Sequence, residues 1–546
     1  MTVLVMIGPV GAGLLATIGP AFGIMPGLSD APAGLAVWRR LFDMPGLGQG
    51  VALAAWTGFA ATALAFVIAV LFCAAWHGTA TFDRLMRGLS PLLSVPHVTV
   101  AFGLAFLIAP SGWLVRALTG FERPPDWLTV HDPLGLGLIG TLIAKELPFL
   151  LLMTLAALNQ VPAQRYHAMA RTLGYGRMLA WLHGVLPLLY PQLRLPVFAV
   201  LAYSLSVVDV ALVIGPTLPP TLAVQLTRWF ADPDLSLRLV AAAGAVLQVA
   251  VVVAGIGAWL VLERVVGLLA RRLRGAGWRG RQDAVARGLA LAPALAALTL
   301  TGLGLATMAL WSLATSWRFP ALLPQDWSLR AWDKVGTAAL GPTVALALAA
   351  STVAALLVLG CLEHEAAADR KPRRAVLWLL YVPLLVPQIG FLFGLQVLLV
   401  WLGADGGWPA VLWSHLVFVL PYVFLALAEP YRAWDSRYGR TARCLGAGPA
   451  RVWLRVKLPM LLRPVLVAAA IGVAVSVAQY LPTLFAGAGR FATLTTEAVT
   501  LSAGGDRRVI GAYAVMQMLV PLAGFALALG LPAWLYRDRR GLRVGR

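Results

Sequence analysis

Twelve times along this chain the sequence turns apolar for roughly twenty residues, the length a helix needs to cross the hydrocarbon core of a bilayer. The runs fall near 2–23, 51–76, 91–110, 134–158, 195–217 and 239–263, then near 289–314, 335–361, 375–401, 409–429, 464–486 and 509–536. Backbone N–H and C=O groups in lipid must be satisfied within the segment, so runs of this length specify helices. The expected fold is an all-α membrane protein of about twelve transmembrane helices. Composition agrees, with 60% of the 546 residues hydrophobic, 12% charged and a mean hydropathy of +0.82. A soluble domain of that balance could not keep so much apolar surface from water. The first run has no Lys or Arg before it and no AxA-like site close behind. It reads as a retained helix rather than a signal peptide.

The formal charge of +20 invites a nucleic-acid partner. The basic residues, however, sit in short runs between the apolar spans, and no nucleic-acid-binding motif accompanies them. No nucleic acid is expected, and the lipid bilayer is the partner these runs imply. With the N-terminus in the cytoplasm, 30 of the 43 Lys and Arg residues face the cytoplasm and 12 the other side, Lys145 being inside a span. That asymmetry predicts a multi-pass inner-membrane protein with both termini cytoplasmic. The densest basic run holds Arg264, Arg271, Arg272, Arg274, Arg279, Arg281 and Arg287. It divides the chain into a first half (1–263), a cytoplasmic basic linker (264–288) and a second half (289–546).

The halves repeat each other. Residues 96–104 read PHVTVAFGL and residues 387–395 read PQIGFLFGL, an offset of 291. Residues 166–174 read YHAMARTLG and 438–446 read YGRTARCLG, an offset of 272, and a Leu-Pro pair follows each at Pro187 and Pro459. FGL matches are common in Leu-rich spans. The polar match is more specific, because it keeps its register outside the membrane. Six spans per half make the repeats parallel rather than inverted.

Each polar segment reads as helix, tight turn, helix. Gly174 and Gly446 stand where a residue of positive φ closes a helix, and Pro187 and Pro459 stop the second helical run. Ala170 and Ala442 are small enough for another surface to approach. A short helix held out from the membrane suits a partner's groove.

These segments resemble the EAA motif of ABC importer permeases: Glu-Ala-Ala, three residues, Gly, then Leu-Pro. The matching positions are Ala170, Arg171, Leu173, Gly174 and Pro187, and again Ala442, Arg443, Leu445, Gly446 and Pro459. Duplicated in one chain, they resemble the fused permeases of the thiamine and iron(III) importer group. The resemblance implies two ATPase-coupling loops, two copies of a separate ABC ATPase subunit, a periplasmic substrate-binding protein and a small solute. The family's Glu is replaced by Ala168 and Arg440, so any salt bridge it makes is absent. The chain has no GxxxxGK[ST] motif. Its lysines, Lys145, Lys334, Lys371 and Lys457, are wrongly placed for one, so ATP and Mg belong to the partner and no cofactor to this chain.

Charge inside the fourth span costs about 2.5–3.5 kcal/mol per group even on the mildest scale. Lys145 and Glu146 point about 100° apart on a helix, so each needs its own partner, and Asp209 is a candidate for Lys145. Gln479 and Tyr480 occupy the corresponding region of the second half. These five either line the substrate path or bond helices together. The three cysteines and seven histidines are scattered and suggest no metal site, and no catalytic constellation is present. A twelve-helix secondary transporter of the major facilitator type is the alternative. Its GxxxDRxGRR signature is only partly echoed by GTATFDRLMRG around Asp83 and Arg84.

Overall fold

A computed structural model describes residues 2–25, 34–118, 120–368 and 378–537. The first half contributes α1 (Thr2–Ala21), α2 (Leu47–Trp76), α3 (His97–Ile108), α4 (Leu136–Leu158), α5 (Leu186–Ser206) and α6 (Ser236–Gly275). The second contributes α7 (Ala284–Leu313), α8 (Gly336–Ala367), α9 (Gln388–Trp401), α10 (Trp408–Arg432), α11 (Leu458–Val477) and α12 (Arg507–Leu535). Among the described residues, 11 helices are long and apolar enough to cross a membrane, and α9 is a shorter apolar helix of 14 residues. The start of the ninth run, at 375–377, and the basic residues 370–374 and 538–546 lie outside the described residues.

The helices differ from their sequence outlines at two kinds of place. The basic linker is mostly helix: α6 runs on to Gly275 and α7 begins at Ala284, leaving 276–283 as the connection. The fifth and eleventh runs are broken rather than continuous. After Ser206 the chain turns at Val207 and resumes as Asp209–Ile214, then Leu222–Phe230. After Val477 it turns and resumes as Leu481–Ala486, then Leu494–Leu501.

A broken helix leaves carbonyls without partners, which is costly away from water. Gln248 Nε2 donates to Leu205 O at 3.2 Å. In the second half Thr495 Oγ1 donates to Val477 O, and Gln517 Nε2 reaches the same hydroxyl at 2.6 Å. Leu205 and Val477 are 272 residues apart, so equivalent carbonyls are satisfied by different side chains.

The two halves are intertwined. α1 packs mainly on α9, and α7 on α3, so the first helix of each half lies against the third helix of the other. Both crossings are made by glycines. A Cβ on Gly394 would lie 1.9 Å from Gly13 O, and one on Gly103 would lie 2.9 Å from the Gly304 carbonyl carbon. Small residues at such crossings let helix backbones pack closely in lipid. Gly103 and Gly394 are the glycines of the two FGL motifs, and Gly13 and Gly304 share their offset of 291. A short antiparallel pair, Ala314–Ser316 with Asp326–Trp327, follows α7. Arg116 of the first half reaches into this region, donating to Arg318 O at 2.9 Å and Ala321 O at 2.7 Å.

Candidate functional site

The two repeated loops leave the bundle between α4 and α5 and between α10 and α11. In the first, helix Ala163–Thr172 ends on Leu173, Gly174 turns at φ +84°, and a second helix runs Arg177–Gly184. In the second, Ser436–Cys444 ends on Leu445, Gly446 turns at φ +82°, and Pro449–Val452 follows. Each turn carries the same pair of bonds. Gly174 N–H donates to Arg171 O at 3.0 Å and Tyr175 N–H to Ala170 O at 3.4 Å. Gly446 N–H donates to Arg443 O at 2.9 Å and Ala447 N–H to Ala442 O at 3.0 Å. This is the Schellman closure, which requires a left-handed residue at the glycine.

The prolines act differently from the expectation. Pro187 and Pro459 sit in the first turns of α5 and α11, so they open the next helix rather than stop the previous one. Before Pro459 the chain does not break. A wide i→i+5 turn over Trp453–Lys457 carries it into α11, an adjustment that accommodates a residue with no N–H.

The loop tips are apolar and bare. Leu173 is 70% and Leu445 83% exposed, with Tyr166, Met169 and Tyr438 exposed beside them. Arg171 and Arg443 are also exposed. Ala170 is buried, but its close neighbour lies within the loop, where a Cβ on Gly184 would lie 3.4 Å from Ala170 Cβ. Ala442 is half-buried.

Each loop is tied to the end of its own half's second helix. Arg177 donates to Ala75 O at 2.9 Å and His77 O at 2.6 Å, at the end of α2. Nearby, burial holds His167 below the ordinary histidine range, and its Nε2 lies 3.1 Å from Arg177 O. In the second half, buried Lys457 pairs with Glu363 of α8 at 2.7 Å, and Tyr431 donates to the same carboxylate. The Lys457 ammonium also stands 4.2 Å from the Tyr431 ring and 5.0 Å from Trp434. Sequence comparison missed these anchors because Arg177 and Lys457 do not occupy equivalent positions.

The intramembrane polar residues separate into two groups. Lys145 is not paired with Asp209. Its ammonium donates to the carbonyls of Leu92, Leu93 and Val95 at 2.9, 3.1 and 2.5 Å, closing the turn that precedes α3. Three carbonyls exhaust the three donors of an ammonium. Glu146 faces elsewhere, as helix geometry requires, with Oε1 3.1 Å from His97 Nε2. The His97 ring lies 4.9 Å from that of Tyr203. Asp209 begins the short helix after the first break and is within electrostatic reach of His97, Tyr203 and Tyr480. Tyr422 of α10 is within reach of Glu146. Glu146, Asp209 and Tyr480 thus belong to one seam between the halves, together with His97, Tyr203 and Tyr422, which sequence reasoning passed over. Gln479 is buried at the second break. That break is stapled by His415, whose ring nitrogens lie 2.9 Å from Ser476 Oγ and 2.9 Å from Thr483 Oγ1 on its two sides.

No protein-family model matches the chain. Over 525 residues, 95% of this chain and 94% of the relative, it is 35% identical to the inner membrane ABC transporter permease protein YnjC of Escherichia coli K12. Over 151 residues it is 25% identical to the spermidine/putrescine transport system permease protein PotC of Haemophilus influenzae, covering 28% of this chain and 59% of that relative. Over 82 residues it is 30% identical to PotC of Escherichia coli K12, covering 15% of this chain and 31% of that relative.

Proposed function

Because the chain belongs to the inner-membrane ABC transporter permeases, multi-pass transporter subunits rather than enzymes, we propose that it carries a small solute across the membrane for a periplasmic binding protein. ATP hydrolysis on a separate subunit drives the passage, with ATP and Mg held there. The observation that carries this reading is the duplicated loop: two Schellman-closed turns with φ of +84° and +82°, each exposing a bare leucine. A rigid knob with an apolar tip is what a groove on a soluble partner can seat. Two knobs in one chain imply one permease and two ATPase subunits. The loops then face the cytoplasm, as do both termini. Membership of this family displaces the secondary-carrier reading of Asp83 and Arg84, which lie on the short helix Ala80–Leu89.

The seam between the halves favours a cationic solute. It offers two carboxylates, Glu146 and Asp209, and the phenol rings of Tyr203, Tyr422 and Tyr480, while Lys145 is bound up with carbonyls. Carboxylates and aromatic faces attract a small cation and repel an oxyanion. The printed names of the partial relatives, which concern spermidine and putrescine, point the same way.

Reconstitution with the ATPase and the binding protein tests the proposal. One permease per two ATPases by native mass spectrometry, with ATP-dependent uptake of an organic cation, is expected. Two permease chains per core would overturn the duplicated-loop reading, and uptake of an oxyanion would overturn the cation reading.

A further inference from the structure

The connection 276–283 does not hang free between the halves. It lies along the turn of the first loop. Gly176 N–H donates to Arg279 O at 2.8 Å, and Met178 N–H donates to Asp283 Oδ2 at 2.9 Å. Arg281 Nε donates to Gly174 O at 3.3 Å. Arg279 Nη1 donates to the Tyr175 hydroxyl at 2.7 Å, with its guanidinium 4.4 Å from the Tyr175 ring centre. The fit is close enough that a Cβ on Gly176 would fall 1.8 Å from Gly280 O.

The second loop has no such cover among the described residues. Gly448, 272 residues after Gly176, would meet nothing within 4 Å if it carried a Cβ, and the same holds for Gly446. The sequence explains the difference. Gly176 and Gly448 both stand at helix N-caps and neither has a side chain to cap with. A helix start leaves free N–H donors that a capping oxygen normally takes. In the second loop Pro449 follows the cap, presets the helical φ and removes one of these donors, although the N–H of Ala450, the equivalent of Met178, has no capping side chain. In the first loop the residue there is Arg177, and Asp283 supplies the missing capping oxygen from the linker.

We propose that residues 276–283 are a built-in part of the first ATPase-docking surface. They hold the first loop in its docking shape, whereas the second loop holds itself. The inference rests on the coupling reading above, and it makes the two ATPase seats unequal: the first depends on the linker, the second does not. Asp283 is a positioning residue that acts through the loop.

The test uses the full-length permease with its ATPase, counting ATPase chains per permease by native mass spectrometry over a range of ATPase concentrations. Asp283→Ala removes the cap, and Asp283→Asn retains an oxygen that can accept from Met178. Loss of a cap weakens a helix by about 1 kcal/mol, so Asp283→Ala should weaken one seat about fivefold and leave a one-ATPase species where the parent holds two. Asp283→Asn should restore the second ATPase. The retained ATPase should be the one that cross-links to Cys444 on the second loop. Equal weakening of both seats overturns the inference. So does an unchanged pair of seats in Asp283→Ala when Gly174→Val loses one. If Gly174→Val and Gly446→Val also leave both seats intact, the coupling reading itself falls, and this inference with it.

Discussion

Replacing Gly446 by Ala, Val and Asn isolates backbone strain at the second loop. A Cβ at this position has no atom within 4 Å to strike, so the penalty arises from the φ of +82° alone. For an L-residue that conformation costs about 1–2 kcal/mol. Asn is penalised least, because its side chain bonds locally, and β-branched Val most. A strained turn relaxes in the free permease and must be rebuilt when the ATPase docks. Affinity should then fall by about 5- to 30-fold, one decade per ~1.4 kcal/mol. Purified ATPase titrated onto permease in nanodiscs reads this directly. The expected order of affinity is Gly, Asn, Ala, Val. At Gly174 the φ is the same, but a Cβ would also sit 3.2 Å from Arg281 Nη2. Gly174→Ala must therefore shift a flexible side chain as well, and its loss should be at least as large. Equal affinity for the parent, Ala and Val proteins would refute the claim that the left-handed turn is part of the docking surface.

Gly394→Ala places a methyl 1.9 Å from Gly13 O and should lower stability by about 1–3 kcal/mol in thermal unfolding, while Gly8→Ala, with nothing within 4 Å, should not. Gln248→Leu strands the buried Leu205 carbonyl and should cost about 1–3 kcal/mol by the same measurement; an unchanged midpoint would mean the break is satisfied otherwise. Lys145→Met and Asp209→Asn should be additive within about 0.3–0.5 kcal/mol, whereas His97→Phe and Glu146→Gln should show coupling in a double-mutant cycle. Cys444 is exposed and Cys73 buried, so an impermeant maleimide should label Cys444 in inside-out vesicles and not in intact cells; the reverse would invert the topology.

The loops were legible because their register is polar. Tyr, Ala, Arg, Leu and Gly repeat at one spacing where lipid imposes no pattern, and the glycine turns take the geometry that spacing required. The helix breaks were not legible. Val207 and Val208 are as apolar as the helix they interrupt, and hydropathy cannot tell a crossing helix from one that turns back inside the bundle. Asp209 is only a candidate partner for Lys145 in the sequence, and the carbonyls of residues 92–95 that take its place carry no sequence signal. The offset of 291 makes Gly13 equivalent to Gly304 and Gly103 to Gly394, but it carries no sign that the first helices are exchanged between halves. It takes the packed structure to reveal that these four glycines form two crossings.

That exchange sets a clock on assembly. Gly13 meets Gly394, a contact spanning about 380 residues of chain, so α1 enters the bilayer long before its partner exists. At synthesis rates of about 5–20 residues per second the wait is roughly 20–75 s. During that interval the glycine face of α1 stands open to lipid or to any other small-residue helix nearby. Synthesis of the first half alone therefore yields a bundle whose opening helix can rest on α6 but lacks its main partner. Maturation of the pair ends only after α9 emerges, which makes the second half a template for the first.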